Sequence, residues 1–141
     1  MTAVVCIDTG RGMMFFGRRQ STDSVLRERV ARLAKNKKLV MNSYTASQFR
    51  DFAADITVTD EPFSADEDSV VFAEDIDPAP YAAKIDRLVI YRWNRIYPRD
   101  FIFTLDPFGL GMRLESILDF KGASHERITE EIWVKNEGPE A

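Results

Sequence analysis

Ala3-Val4-Val5-Cys6-Ile7 is a continuous apolar run, rich in β-branched residues, that breaks at Asp8-Thr9-Gly10-Arg11-Gly12. So short a run without alternation suits a central strand buried on both faces, and the break is turn chemistry. Residues 13–17 are apolar again and yield to Arg18-Arg19-Gln20. Ser21 or Thr22 can cap the next helix, with Asp23 in its first turn. Val25, Leu26, Val30, Leu33 and Ala34 then share one helical face. Arg27, Glu28, Arg29, Arg32 and Lys35 fall elsewhere, as a solvated face would.

The pattern continues outward from that strand and helix. Leu39-Val40-Met41 reads as a second strand. Asn42 or Ser43 can cap a helix through about Ala53, with Phe49, Phe52 and Ala53 as its buried side. Residues 56–59 and 69–73 read as strands around an acidic loop at 61–68 that contains Pro62. Asp77-Pro78 starts another helix, with Tyr81, Ala82 and Ile85 toward the core. Residues 87–96 alternate: Leu88, Ile90, Arg92 and Asn94 point one way, and Val89, Tyr91, Trp93 and Arg95 the other. Residues 101–103 suit a short extended piece. Residues 113–118 and 128–134 suit two closing strands with a turn at 122–126. Alternating units call for parallel strands with helical crossovers, and the closing strands for an antiparallel edge. The expected fold is a three-layer α/β/α domain with a mixed, mainly parallel sheet, over residues 1–135. The polar tail at 136–141 is expected to fray.

Bulk properties narrow the function classes. The 141 residues suit one core, and 45% hydrophobic content argues against disorder. A net charge of -4 argues against a generic DNA-coating protein, which needs excess cations. The one cysteine, Cys6, permits no internal disulfide and is expected as a core thiol. With no leader pattern and no apolar stretch of membrane-spanning length, a cytoplasmic address and no membrane partner are expected.

Several residues could carry chemistry. Asp23, near a helix start, is the best acid-base candidate, although a helix-capping acid is the simpler use. Arg18, Arg19 and Gln20 precede that helix start and could hold a phosphate or carboxylate. Arg92-Trp93-Asn94-Arg95-Ile96-Tyr97-Pro98-Arg99 mixes guanidinium, indole, amide and phenol groups. Such groups stack on bases and clasp phosphates, and they also populate subunit contacts, as in a homodimer. His125 is the chain's one histidine. It could serve as a general acid or base, but it has no partner visible in the sequence and an exposed turn is the simpler place for it. Glu74, Asp75 and Asp77 form an acidic cluster that could attract a cation, part of which helix capping explains.

The sequence resembles dihydrofolate reductase along nearly its whole length. Asp8 followed by Gly12-Met13 looks like that family's first strand entering its active-site loop. Ser21-Thr22-Asp23 looks like the start of the helix carrying its catalytic carboxylate. Residues 37–41 followed by Tyr44-Thr45 look like its Gly-Arg-x-Thr cofactor segment. Val70-Val71-Phe72 resembles the strand before its paired glycines. Residues 85–90 and then Asp100-x-x-Phe103 look like its late strand and Gly-Asp-x-x-Phe-Pro signature. The resemblance implies an Asp23 proton relay and ligand contacts at Thr45 and Tyr91, where the threonine that would orient the carboxylate falls. It also implies losses. The cofactor Gly-Arg falls on Asn42-Ser43, and the paired glycines on Ala73-Glu74. The stretch from Thr45 to Phe72 is short by a strand-helix unit. NADPH is therefore disfavoured and no cofactor is expected. The chain also resembles short bacterial proteins that carry the name ribonuclease Z, but a two-zinc hydrolase needs several clustered histidines.

Three functional expectations follow. The first is a nucleotide or other small anionic ligand held without efficient NADPH-dependent folate reduction. The second is a trimmed NAD(P)H-dependent reductase using Asp23. The third is a metal-independent RNA-binding or RNA-cleaving protein using Arg18, Arg19, Arg92 and His125.

Overall fold

The computed structural model describes residues 1–50 and 55–136. Its ten strands are β1 (Thr2–Ile7), β2 (Gly12–Phe15), β3 (Arg18–Arg19), β4 (Leu39–Met41), β5 (Ile56–Val58), β6 (Val70–Phe72), β7 (Arg87–Arg92), β8 (Phe101–Ile102), β9 (Met112–Phe120) and β10 (Ile128–Lys135). Helix α1 spans Ser24–Leu33 and α2 spans Ser43–Ala46, and 3-10 turns cover Ser47–Phe49, Pro62–Ser64 and Ala79–Lys84. A seven-stranded sheet runs in the order β5-β4-β6-β1-β7-β10-β9. The β1 strand lies near its middle, parallel to β6 and β7. The β4 strand runs parallel to β5 and β6, whereas β10 is antiparallel to both β7 and β9. This is the mixed, mainly parallel α/β sheet that the strand-helix alternation predicts.

The pleat sorts the core into two layers. Ala3, Val5, Ile7, Val71, Leu88 and Ile90 face one cluster, and Val4, Val70, Phe72, Val89, Tyr91 and Trp93 the other. The second cluster is covered by α1 through Leu26 and Val30, with Phe49 beside them, and Cys6 packs on it partly buried. The first cluster is covered by the two later 3-10 turns and by a small sheet of order β3-β2-β8.

Local departures from the sequence expectations have physical causes. The helix expected from Asn42 to Ala53 is one α-turn continued as 3-10 to Phe49; Phe52 and Ala53 lie outside the described residues. The turn after Asp77-Pro78 is 3-10 over six residues that include a second proline, Pro80, which has no N–H to donate to an α-ladder. Tyr81 there is half-exposed and stacks on the buried Phe63 at 4.6 Å between ring centroids. The strand expected over 87–96 stops at Arg92, because Asn94 turns into the left-handed region at φ 60°. Asn136, expected in a frayed tail, donates its N–H to the Gly111 carbonyl at 3.0 Å.

One ionic cluster ties α1 to the sheet. Arg29 donates through Nε and Nη2 to the two Glu130 oxygens, both at 3.1 Å. The fully buried Tyr91 hydroxyl donates to Glu130 Oε2 at 2.8 Å. Burial, with the Glu130 charge adding, pushes the Tyr91 phenol far up, so it stays a donor. Tyr91→Phe should therefore lower stability by about 1–2 kcal/mol, and Glu130→Ala by about 3 kcal/mol or more because Arg29 and Tyr91 both lose their acceptor. Denaturant melts of the two variants check the order.

Candidate functional site

The site gathers where α1 begins, beyond the carboxyl end of β1. The α1 cap is Asp23, in place of the Ser21 or Thr22 expected from the sequence: its Oδ1 accepts from Val25 N at 2.9 Å and Leu26 N at 3.4 Å. The same carboxylate accepts from the far loop, at 2.9 Å from both Ala123 N and Ser124 N. Ser124 Oγ lies 3.2 Å from Asp23 Oδ2, and His125 Nδ1 lies 3.0 Å from it. Gly122 permits this approach, since a methyl group there would collide with the Asp23 carboxylate. Desolvation raises the Asp23 carboxyl, but the N–H groups of Ser124 and Ala123, His125 and Leu26 outweigh it and hold the group well below the usual carboxylate range.

His125 is buried, not exposed on a turn as expected. Its Nδ1 faces Asp23 and also lies 3.1 Å from Ser124 Oγ. Its Nε2 lies 2.9 Å from Ser21 Oγ and 3.3 Å from the Tyr97 hydroxyl. The Trp93 ring stacks on the imidazole at 4.6 Å. The partners that complete the histidine come from residues 21–23, 93, 97 and 124, so only the fold could reveal them. Ser21 was legible only as a capping hydroxyl; once Asp23 takes the cap, that hydroxyl turns to the histidine.

Arg18, Arg19 and Gln20 line a cavity of about 390 Å³ together with Phe15, Phe16, Tyr97 and Pro98. Arg18 is exposed and has no ion-pair partner among the described residues. Arg19 donates to both Glu74 oxygens, at 2.8 and 3.0 Å, and to the Tyr44 carbonyl. Gln20 Nε2 donates to the Pro98 carbonyl at 3.2 Å, while its Oε1 is buried without a partner among the described residues. Phe16 and Gly17 form the two-residue β2-β3 turn, at φ 57° and 70°. An aromatic residue in that region strains the backbone, and its N–H is held by Asp100 Oδ2 at 3.0 Å. Asp8 pins the neighbouring loop: it accepts from Gly10 N, Gly12 N and Tyr97 N at 2.7–3.0 Å.

The other candidates lie apart from this cavity. Thr45 is fully buried at the start of α2, and its N–H goes to the Asn42 cap. Tyr91 belongs to the Arg29–Glu130 cluster under α1. Arg92 donates to both Glu131 oxygens, at 2.7 and 3.2 Å. Asn94 donates to Thr129 Oγ1 at 2.9 Å. The acidic cluster is distributed: Glu74 to Arg19, Asp75 to the Asn42 amide at 2.8 Å, and Asp77 to Ala79 N and the Thr104 hydroxyl. Among the described residues no three His, Cys, Asp or Glu side chains converge on a metal position, and no helix is long and apolar enough to cross a membrane. A groove of about 850 Å³ lies at the opposite end of the sheet around Lys38 and Asp66, which pair at 3.4 Å, and holds none of these residues.

Among solved structures, a dihydrofolate reductase from Enterococcus faecalis, complexed with NADP(H) and RAB-propyl, superposes with a TM-score of 0.67 over 96% of each chain, at 11% identity. The chain has a dihydrofolate reductase-like fold. No protein-family model and no curated protein matches it. Within that fold, the Asp23 carboxylate is enclosed by donors from two segments a hundred residues apart.

The enclosed carboxylate makes stability acid-sensitive in a defined sense. The folded chain holds Asp23 below its ordinary value, so the unfolded chain binds the proton more tightly. The stabilisation is complete above about pH 4 and is lost as pH falls below that value. Asp23→Asn should cost about 2–4 kcal/mol at neutral pH, and the gap to wild type should narrow as pH falls below about 4. Urea melts from pH 7 to pH 2.5 measure it.

Proposed function

We propose that this dihydrofolate reductase-like domain binds a small planar anion of the nucleotide kind in the cavity around Arg18, and does not carry out efficient NADPH-dependent folate reduction. The observation that carries the reading is the wall composition. One uncommitted guanidinium, Arg18, stands with the aromatic residues Phe15, Phe16 and Tyr97 around about 390 Å³, within the range of small-ligand sites. Aromatic faces take a base or similar ring, and the guanidinium takes a phosphate or carboxylate. The strained Phe16 backbone supports it, since strain of this kind collects at ligand clamps.

The residues present do not fit NADPH. The resemblance puts the family's paired glycines on Ala73-Glu74, just after β6, and the Glu74 carboxylate is buried and bound to Arg19. A fixed negative charge with a side chain there opposes a pyrophosphate. The equivalent of the phosphate-gripping arginine is Ser43, and the Asn42 side chain beside it is tied to Asp75. The carboxylate that a reductase would use to relay protons is likewise occupied, by the N–H groups of α1 and of the 123–124 loop.

Adenosine monophosphate at ten times its Kd should raise the melting temperature by about 4–6 °C, and Arg18→Ala should remove that rise. No NADPH should be consumed with dihydrofolate; consumption abolished by Asp23→Asn would establish a trimmed reductase instead. Phe16→Asn separates strain from binding. Asparagine accepts the left-handed turn, so the unliganded variant should gain about 0.5–1 kcal/mol while its response to the nucleotide weakens. Thermal shift measurements read both effects.

A further inference from the structure

We propose that Ser21, His125 and Asp23 form a nucleophilic relay that hydrolyses small carboxylic esters with a planar apolar part. The inference is independent of anion binding, although the relay adjoins the same cavity through Gln20 and Tyr97.

Asp23 Oδ2 is an acceptor, so the proton between it and His125 must sit on Nδ1, 3.0 Å away. Nε2 is then bare and accepts. The nearest hydroxyl to it is Ser21 Oγ at 2.9 Å. Nucleophile, base and orienting carboxylate thus stand in hydrogen-bond sequence, which is the geometry by which such relays are recognised irrespective of chain order. Burial of His125, the Trp93 ring on its face and the N–H groups fixing Asp23 leave the imidazole a single orientation. Ser21 itself is half-buried. Its chain neighbour Gln20 lines the cavity, as does Tyr97, whose hydroxyl reaches the same Nε2 at 3.3 Å. Ser21 is not itself in that wall, so an ester seated against Phe15, Phe16, Tyr97 and Pro98 must present its carbonyl past Gln20 to the serine, the next residue along the chain.

The chemistry balances with water as the second reactant. Ser21 Oγ bonds to the ester carbonyl carbon as its proton passes to His125 Nε2. The carbon–oxygen bond to the alcohol breaks, and Nε2 returns the proton to the leaving oxygen. Water then attacks the acyl-Ser21, giving its proton to Nε2. The acid departs as that proton returns to Ser21 Oγ. Asp23 is a positioning residue here: it fixes the tautomer and touches no substrate.

Intact protein is treated with a fluorophosphonate probe and mapped by mass spectrometry, and p-nitrophenyl acetate hydrolysis is followed in parallel. Wild type should carry one adduct, on Ser21. Ser21→Ala should lose the adduct and slow hydrolysis by about a thousandfold, while its melting temperature and its response to adenosine monophosphate stay unchanged. Because the chain has one histidine, ¹⁵N-histidine spectra report His125 alone, and should show Nδ1 protonated with Nε2 bare, reversing in Asp23→Asn. An unlabelled wild type at saturating probe, hydrolysis that survives Ser21→Ala, or a proton resident on Nε2 in wild type would overturn the relay, and none of these would touch the anion reading.

Discussion

A single buried carboxylate organises the functional end of this molecule. Asp23 caps α1 and, with the same two oxygens, holds the N–H groups of Ala123 and Ser124 and the His125 imidazole. The charge is affordable inside the protein only because so many donors converge on it. The consequence is long-range. The turn between β9 and β10 is drawn down onto the helix start, and it carries His125 to within reach of Ser21 and Tyr97. Without that carboxylate the loop loses the acceptor for both of its N–H groups, and the histidine loses the partner that fixes its tautomer.

One ion pair and several hydrogen bonds occupy the neighbouring strand ends. Parallel sheets commonly bind ligands beyond the carboxyl ends of their strands. In this chain those ends are occupied by its own polar groups: Arg19 with Glu74, Asn42 with Asp75, and Asp8 with three backbone N–H groups. The open volume is displaced toward the β2-β3 hairpin, where Arg18 and exposed aromatic rings remain without such pairing. The dihydrofolate reductase-like scaffold rests on the apolar layers of β1, β6 and β7, and Trp93 of the second layer also reaches the histidine.

The strands were legible because periodicity reports burial directly. Residues 3–7 read as a central strand, and Leu88 and Ile90 separate from Val89, Tyr91 and Trp93 as the pleat requires. The start of α1 was legible to within a residue or two, but which side chain caps it was not: Ser21, Thr22 and Asp23 are all competent, and the loop at 123–124 decides between them. Helix type after Asn42 and Asp77 is not legible from the caps alone, because a good cap does not guarantee a long α-ladder. His125 was hardest to read. A histidine in a Gly-Ala-Ser-His-Glu turn looks solvated, and its burial rests on Trp93, Tyr97 and Asp23, none of which is near it in sequence.

The account stands or falls on the ionisation of Asp23 inside the folded protein. Its side-chain carboxyl carbon can be followed by ¹³C NMR as the pH is lowered. The account predicts a resonance that stays at its ionised position throughout the folded range and changes only when the protein acid-unfolds. A smooth titration centred at about 4, in a chain that remains folded, would contradict it.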